Sequence, residues 1–123
     1  MPTPNLAAVT TVKPIDPLVS SQLASGSNTI YTVGSSKTAK LDPLIITNTN
    51  AAGGASVIAV VSVVPAGGTV DGTHRVGPSV AIPAGDSAIF DEVKGWYPAG
   101  TFVAVNAGLG SVLDVKLTGL EFS

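Results

Sequence analysis

The sequence predicts an all-β fold, an antiparallel β-sandwich or jelly-roll-like domain of about seven to eight strands, on three observations. Pro-Ala-Gly occurs three times, at Pro65-Ala66-Gly67, Pro83-Ala84-Gly85 and Pro98-Ala99-Gly100. Proline presets the φ that a turn's first corner needs, and glycine takes the corner where φ turns positive. Each copy stands beside a short run rich in Val, Ile, Phe and Thr, the residues that fit a pleated surface. No segment of useful length carries the 3.6-residue apolar period of a helix.

Taken in order, Thr29–Val33 reads as a strand closed by the turn Gly34-Ser35-Ser36-Lys37. Thr38–Thr49 is a longer strand, and Pro43 inside it marks an edge or a bulge, because proline has no amide to donate. Asn50–Gly54 is a loop, and Ser56–Val64 is the strongest strand. Val76–Ile82, Ser87–Asp91, Thr101–Ala107 and Val112–Phe122 complete the set.

Two strands carry more information than their class. In Ser56–Val64 both parities are apolar, with Val57, Ala59, Val61 and Val63 against Ile58, Val60 and Val64. One face of an antiparallel sandwich normally meets water, so the second face is covered either by the chain's own segment or by another chain. In the last strand Leu113, Val115 and Leu117 share one parity and Leu120 and Phe122 the other. A bulge at Thr118-Gly119 would restore the apolar face.

Residues 1–24 form a proline-rich extended N-terminal arm and 25–123 the sandwich domain. Pro2, Pro4, Pro14 and Pro17 interrupt any period, while Leu6, Val9, Val12, Ile15 and Leu18 are spaced apolar points able to dock on a partner. A disordered tail is the alternative. The arm is expected to serve attachment more than folding, so that loss of residues 1–20 leaves a folded domain.

Composition narrows the function. The chain has 123 residues, no cysteine, one histidine and 11% charged residues, with a formal charge of −2. Disulfides and thiolate metal sites are excluded, and the six basic residues are too scattered to track a phosphate backbone, so no nucleic-acid partner is expected. No secretory signal or spanning segment is visible, and a soluble protein without a membrane partner is expected. His74 and Asp71 in Asp71-Gly72-Thr73-His74-Arg75 have no nucleophile motif beside them and read as a polar loop. Asp91-Glu92 would diverge on a strand. No catalytic, cofactor-binding or metal site is assigned, and the chain is expected not to be an enzyme. Trp96-Tyr97 is the one aromatic pair that reads as exposed, suited to a protein interface or a sugar, with a plug for the sandwich's open end as the alternative.

From Thr29 onward the order of motifs resembles a β-sandwich family among tailed-bacteriophage virion proteins. The matching stretches are Thr29-Ile30-Tyr31-Thr32-Val33 with Lys37-Thr38-Ala39, then Ile45-Ile46-Thr47-Asn48-Thr49, and Pro65-Ala66-Gly67-Gly68-Thr69 after the Val-rich strand. Ile82-Pro83-Ala84-Gly85-Asp86-Ser87, Pro98-Ala99-Gly100 and the closing Leu117-Thr118-Gly119-Leu120-Glu121 follow. The resemblance implies a non-enzymatic structural protein of the virion, a capsid decoration (cement) or minor capsid protein on the capsid surface, made in the host cytoplasm. Its partners would be the major capsid protein or another virion protein and copies of itself, with a trimer suited to threefold positions. A tail or neck component is the alternative in the same setting, and a carbohydrate-binding module using Trp96 and Tyr97 is the alternative from another class.

Overall fold

The computed structural model describes residues 9, 11–15 and 19–123. Its strands are β1 (Val12–Pro14), β2 (Val19–Gln22), β3 (Gly26–Thr32), β4 (Thr38–Leu41), β5 (Leu44–Asn48), β6 (Val57–Val64), β7 (Val80–Ile82), β8 (Ser87–Phe90), β9 (Gly95–Pro98), β10 (Phe102–Ala107), β11 (Leu113–Leu117) and β12 (Gly119–Phe122). They form three four-stranded antiparallel sheets, ordered β1-β12-β4-β9, β2-β11-β5-β8 and β3-β10-β6-β7.

The first two sheets repeat one order because they are two halves of a single bent sheet. Three of its four chain passes are interrupted midway at described residues: β4 from β5 at Asp42-Pro43, β11 from β12 at Thr118, and β8 from β9 by the 3-10 turn Asp91–Val93. Asp42 and Thr118 lock the bend, since Asp42 N donates to Thr118 O at 2.9 Å and Thr118 Oγ1 to Asp42 Oδ2 at 3.1 Å. Gly119 is required there, because a Cβ would collide with the Lys40 carbonyl oxygen. Four bent passes facing the four strands of the third sheet make an eight-strand jelly roll.

The core fills the space between the layers. Val57, Ala59 and Val61 of β6 face inward, opposite Ala107, Val105 and their neighbours on β10, and meet Leu41, Leu44, Ile46, Leu113, Val115 and Leu117 of the bent sheet. The other face of β6 is divided along its length. Ser62 and Val64 are buried beneath the segment after Pro65, where Val76 N donates to Val61 O and Ser62 bridges Arg75, whereas Ile58 is 55% exposed. The chain's own connection thus covers one end of this face and leaves the other open.

Three expectations change. Pro-Ala-Gly does form tight turns, with positive φ at Gly67, Gly85 and Gly100. However, Gly68 N, Asp86 N and Thr101 N donate back to Pro65 O, Pro83 O and Pro98 O, so proline opens each turn and alanine takes the first corner. The arm is not separate from the sandwich over residues 12–15 and 19–23. β1 pairs with β12 and β2 with β11, and Ile15 and Leu23 are core residues held by Ile15 N→Gly119 O and Leu23 N→Leu113 O. Pro14 is tolerated because β1 is an edge strand, where an absent amide removes no ladder bond.

The third change is in the last strand, where the inward parity is not reversed at Thr118-Gly119. Glu121 continues the inward series of Leu113, Val115 and Leu117, while Leu120 is exposed and Phe122 half-buried. A carboxylate can take this inward place because it is partnered. Tyr31 Oη donates to Glu121 Oε2 at 2.5 Å, and Lys37 Nζ lies 3.4 Å from Oε1.

Burial and the adjoining Glu121 carboxylate push the Tyr31 phenol well above the ordinary tyrosine value, and burial raises Tyr97 in the same sense. A raised folded-state pKa gives stability that is complete below the unfolded tyrosine's pKa of about 10 and is lost as pH rises beyond it. Denaturant melts at rising pH should therefore show stability falling above about pH 10, with a shallower fall in Tyr31→Phe.

Candidate interaction surface

The loop that carries Asp71 and His74 is built to hold itself. Asp71 caps the 3-10 turn Gly72–His74, its Oδ1 accepting from Thr73 N at 2.9 Å and Thr73 Oγ1 at 2.6 Å, while Thr69 Oγ1 donates to Oδ2 at 3.3 Å. The Thr73 hydroxyl and amide hold the Asp71 carboxyl below its ordinary range. His74 Nδ1 lies 2.7 Å from Thr69 O and 3.2 Å from Asp71 Oδ1. These bonds close the turn and organise no nucleophile. Beside it, Val60, Ser62, Val70, Asp71, Gly72, Arg75 and Asn106 line a shallow cleft of about 340 Å³. Among the described residues, no three of His, Cys, Asp and Glu gather as metal ligands. None of their helices is long and apolar enough to cross a membrane.

A different surface draws the predicted contact residues together. Across the β1-β12-β4-β9 half-sheet, Val12 pairs with Phe122, and Leu120 pairs with Lys40, which in turn pairs with Trp96. Directly opposed residues share a face, so Val12, Phe122, Leu120, Lys40 and Trp96 stand on the outer side. The Trp96 and Phe122 rings meet at 5.1 Å between centroids, tilted by 44°. Lys40 Nζ sits 5.9 Å from the centre of the indole, in the range of a cation–π contact. Val12 is 54% exposed, Leu120 is exposed, and both rings are half-buried. The result is an apolar and aromatic face on a rigid sheet, with a cation attached.

Of the sequence-predicted contacts, Val12 and Trp96 belong to this face, and Val9 is half-buried two residues beyond the described end of its strand pairing. Ile15 is spent in the core. Leu6 and Leu18 lie outside the described residues. Tyr97 is inward, as strand neighbours must diverge, and its Oη donates to Val93 O at 2.7 Å. The adjacent aromatics therefore form no shared platform. Phe122, Leu120 and Lys40 were missed by sequence reasoning. Unbroken parity through Leu113, Val115, Leu117 and Glu121 is the signal that would have placed Phe122 outside, but it requires accepting a carboxylate facing in. A second exposed apolar pair lies on the other half-sheet, where Ile45 is opposed to Ile89, the latter 65% exposed.

Neither protein-family models nor curated proteins match the chain. Solved structures do. A chain in the structure of infectious bursal disease virus Gx strain is similar over 91% of this chain, with 13% identity and a TM-score of 0.51. A chain in the T13 particle of the same virus matches over 91%, with 8% identity and a TM-score of 0.53. This chain spans about a third of those viral chains, 32% and 30% of their lengths. A chain of Bacillus endospore appendages, described as disulfide-linked pili, matches over 100% of this chain and 96% of its own length, with 14% identity and a TM-score of 0.51. At these identities the likeness establishes a shared β-sandwich fold, one used by chains of viral particles and of a surface fibre.

Proposed function

We propose that the chain is a non-enzymatic structural subunit of a virion, a capsid decoration or minor capsid protein of a tailed phage, which binds the assembled shell through its outer surface. The observation that carries this reading is the eight-strand jelly roll, similar at a TM-score of 0.53 to part of a chain from a viral particle. The outer face of Trp96, Phe122, Leu120 and Val12 supplies the kind of contact such a role needs. Aromatic side chains held rigidly on a sheet concentrate binding energy, and Lys40 adds a charge that orients the partner. Modest contacts repeated over a symmetric shell give strong attachment without one high-affinity site. Leu6, Val9 and Leu18 are the remaining arm residues proposed to extend that contact.

The test is co-sedimentation of the purified chain with shells lacking it. Trp96→Ala and Phe122→Ala should each weaken attachment by about tenfold or more, as expected for anchors at an interface. His74→Ala should leave it unchanged. Attachment indifferent to both aromatic variants would remove this face from the mechanism.

A second reading, a subunit of an extracellular fibre, is favoured by the end-to-end match with the pilus chain. Without a cysteine this chain could not be linked as a disulfide-bonded pilus is, so such a fibre would be held by something other than disulfides between copies of it. Electron microscopy of the same preparations separates fibres from shells.

A further inference from the structure

We infer that β3 is a self-association edge, pairing antiparallel with β3 of a second copy so that two four-stranded sheets join into one. An open strand edge is a template for another strand, and proteins that stay monomeric guard such edges with charge, proline or brevity. Every other edge here is guarded. β1 contains Lys13 and Pro14, and β2 has four residues with Pro17 just before it. β7 has three residues between Pro78 and Pro83, β8 lies between Asp86 and Asp91, and β9 follows Lys94 and ends in Pro98.

β3 is guarded by neither charge, proline nor brevity, and its one protective feature is a single bulge. It is the longest of the six edge strands at seven residues, has β10 on one side, and has no strand on the other among the described residues. It carries no charge and no proline, and the whole stretch from Pro17 to Ser36 is uncharged. Its only irregularity is the extra residue at Ile30, opposite the step from Val103 to Ala104. The Ile30 side chain packs against the core, and Ser27–Thr29 and Tyr31–Thr32 lie in the strand on either side. Ser27, Thr29 and Thr32 are exposed, and hydroxyl side chains suit cross-strand pairs.

Two arguments make the occupant a second copy. An antiparallel edge is complementary to itself under a twofold axis, and Thr29, near the middle of β3, would meet its own counterpart there. Charge agrees, because a chain of net charge −2 repels its copy least where neither surface is charged. The contact is twofold, distinct from a trimer at a threefold shell position. It does not depend on the virion reading, and it is tested on the isolated chain.

The experiment combines mass measurement with cross-linking. Light scattering on the native chain should show the mass rising from the monomer's 12.2 kDa towards twice that value with concentration. Ser27→Lys with Thr29→Lys should weaken that association by about tenfold or more while leaving the melting temperature unchanged, since both side chains are exposed. Gln22→Lys, the same charge on β2, should have little effect. In this cysteine-free chain, Thr29→Cys should oxidise to a covalent dimer whose circular dichroism matches the native protein. The inference is overturned by a mass that stays monomeric up to ~1 mM, by a dimer indifferent to the lysines, by a trimer, or by a Thr29→Cys thiol that stays free.

Discussion

Deleting residues 1–23 should unfold the domain, whereas deleting residues 1–8 should leave it folded. The longer deletion removes Ile15 and Leu23 from the core and strips β1 from β12 and β2 from β11. Replacing a buried Ile or Leu with alanine costs about 2–5 kcal/mol. Losing two such side chains, with the strands that carry them, therefore approaches the roughly 5–15 kcal/mol by which domains of this kind are stable. It also leaves the backbone edge of β11 from Asp114 to Leu117 without its partner strand. The shorter deletion touches none of these contacts. Urea melts followed by circular dichroism decide between the outcomes. A cooperative, native-like melt after removal of residues 1–23 would restore the arm that composition suggests, a segment attached to the sandwich without holding it together.

Val61→Asp should unfold the chain, and Ile58→Asp should not. Val61 is fully buried in the hydrophobic core and paired with the equally buried Val105. An unpaired charge in that position costs more than the fold can supply. Ile58 lies three residues earlier on the opposite face, opposed to Ala81 and open to water, so its variant should melt within a few degrees of the native protein, as exposed substitutions do. Val64 tests the division of that outer face. It shares parity with Ile58, yet it is fully buried, with Gly68 packed against it, and Val64→Asp should unfold the chain like Val61→Asp. Thermal melts of the three variants give the answer. Equal tolerance at Ile58 and Val64 would mean that the segment after Pro65 does not cover this strand.

The strands were legible because β-branched residues and punctuation agree locally. Ser56–Val64, read from its valines, is β6 to within a residue, whereas Thr38–Thr49, read as one strand with an edge or a bulge at Pro43, is two interior strands, β4 and β5, that break at Asp42-Pro43. What escaped sequence reasoning depended on partners distant in the chain. The prolines at 14 and 17 read as a departure from the sandwich, but an edge strand accepts a missing amide, and only the pairing with β12 shows that β1 is such an edge. Placing Leu120 and Phe122 on the apolar face turned Glu121 outward by implication. Its partners Tyr31 and Lys37 lie more than eighty residues away and make the inward position favourable. The same inversion hid Phe122, and with it the contact that turns Trp96 from a lone aromatic into part of a surface. In Pro-Ala-Gly the turns were legible from composition, while the proline's place at the opening of each turn was visible only in the hydrogen bonds.

The measurement that bears most directly on the structural-subunit reading is the number of copies of this chain in purified particles, by quantitative mass spectrometry against the major shell protein. A decoration or minor capsid protein repeated over a symmetric lattice should be present in roughly tens to hundreds of copies per particle. Its absence from the particles, or its recovery only with separate fibres, would contradict the account.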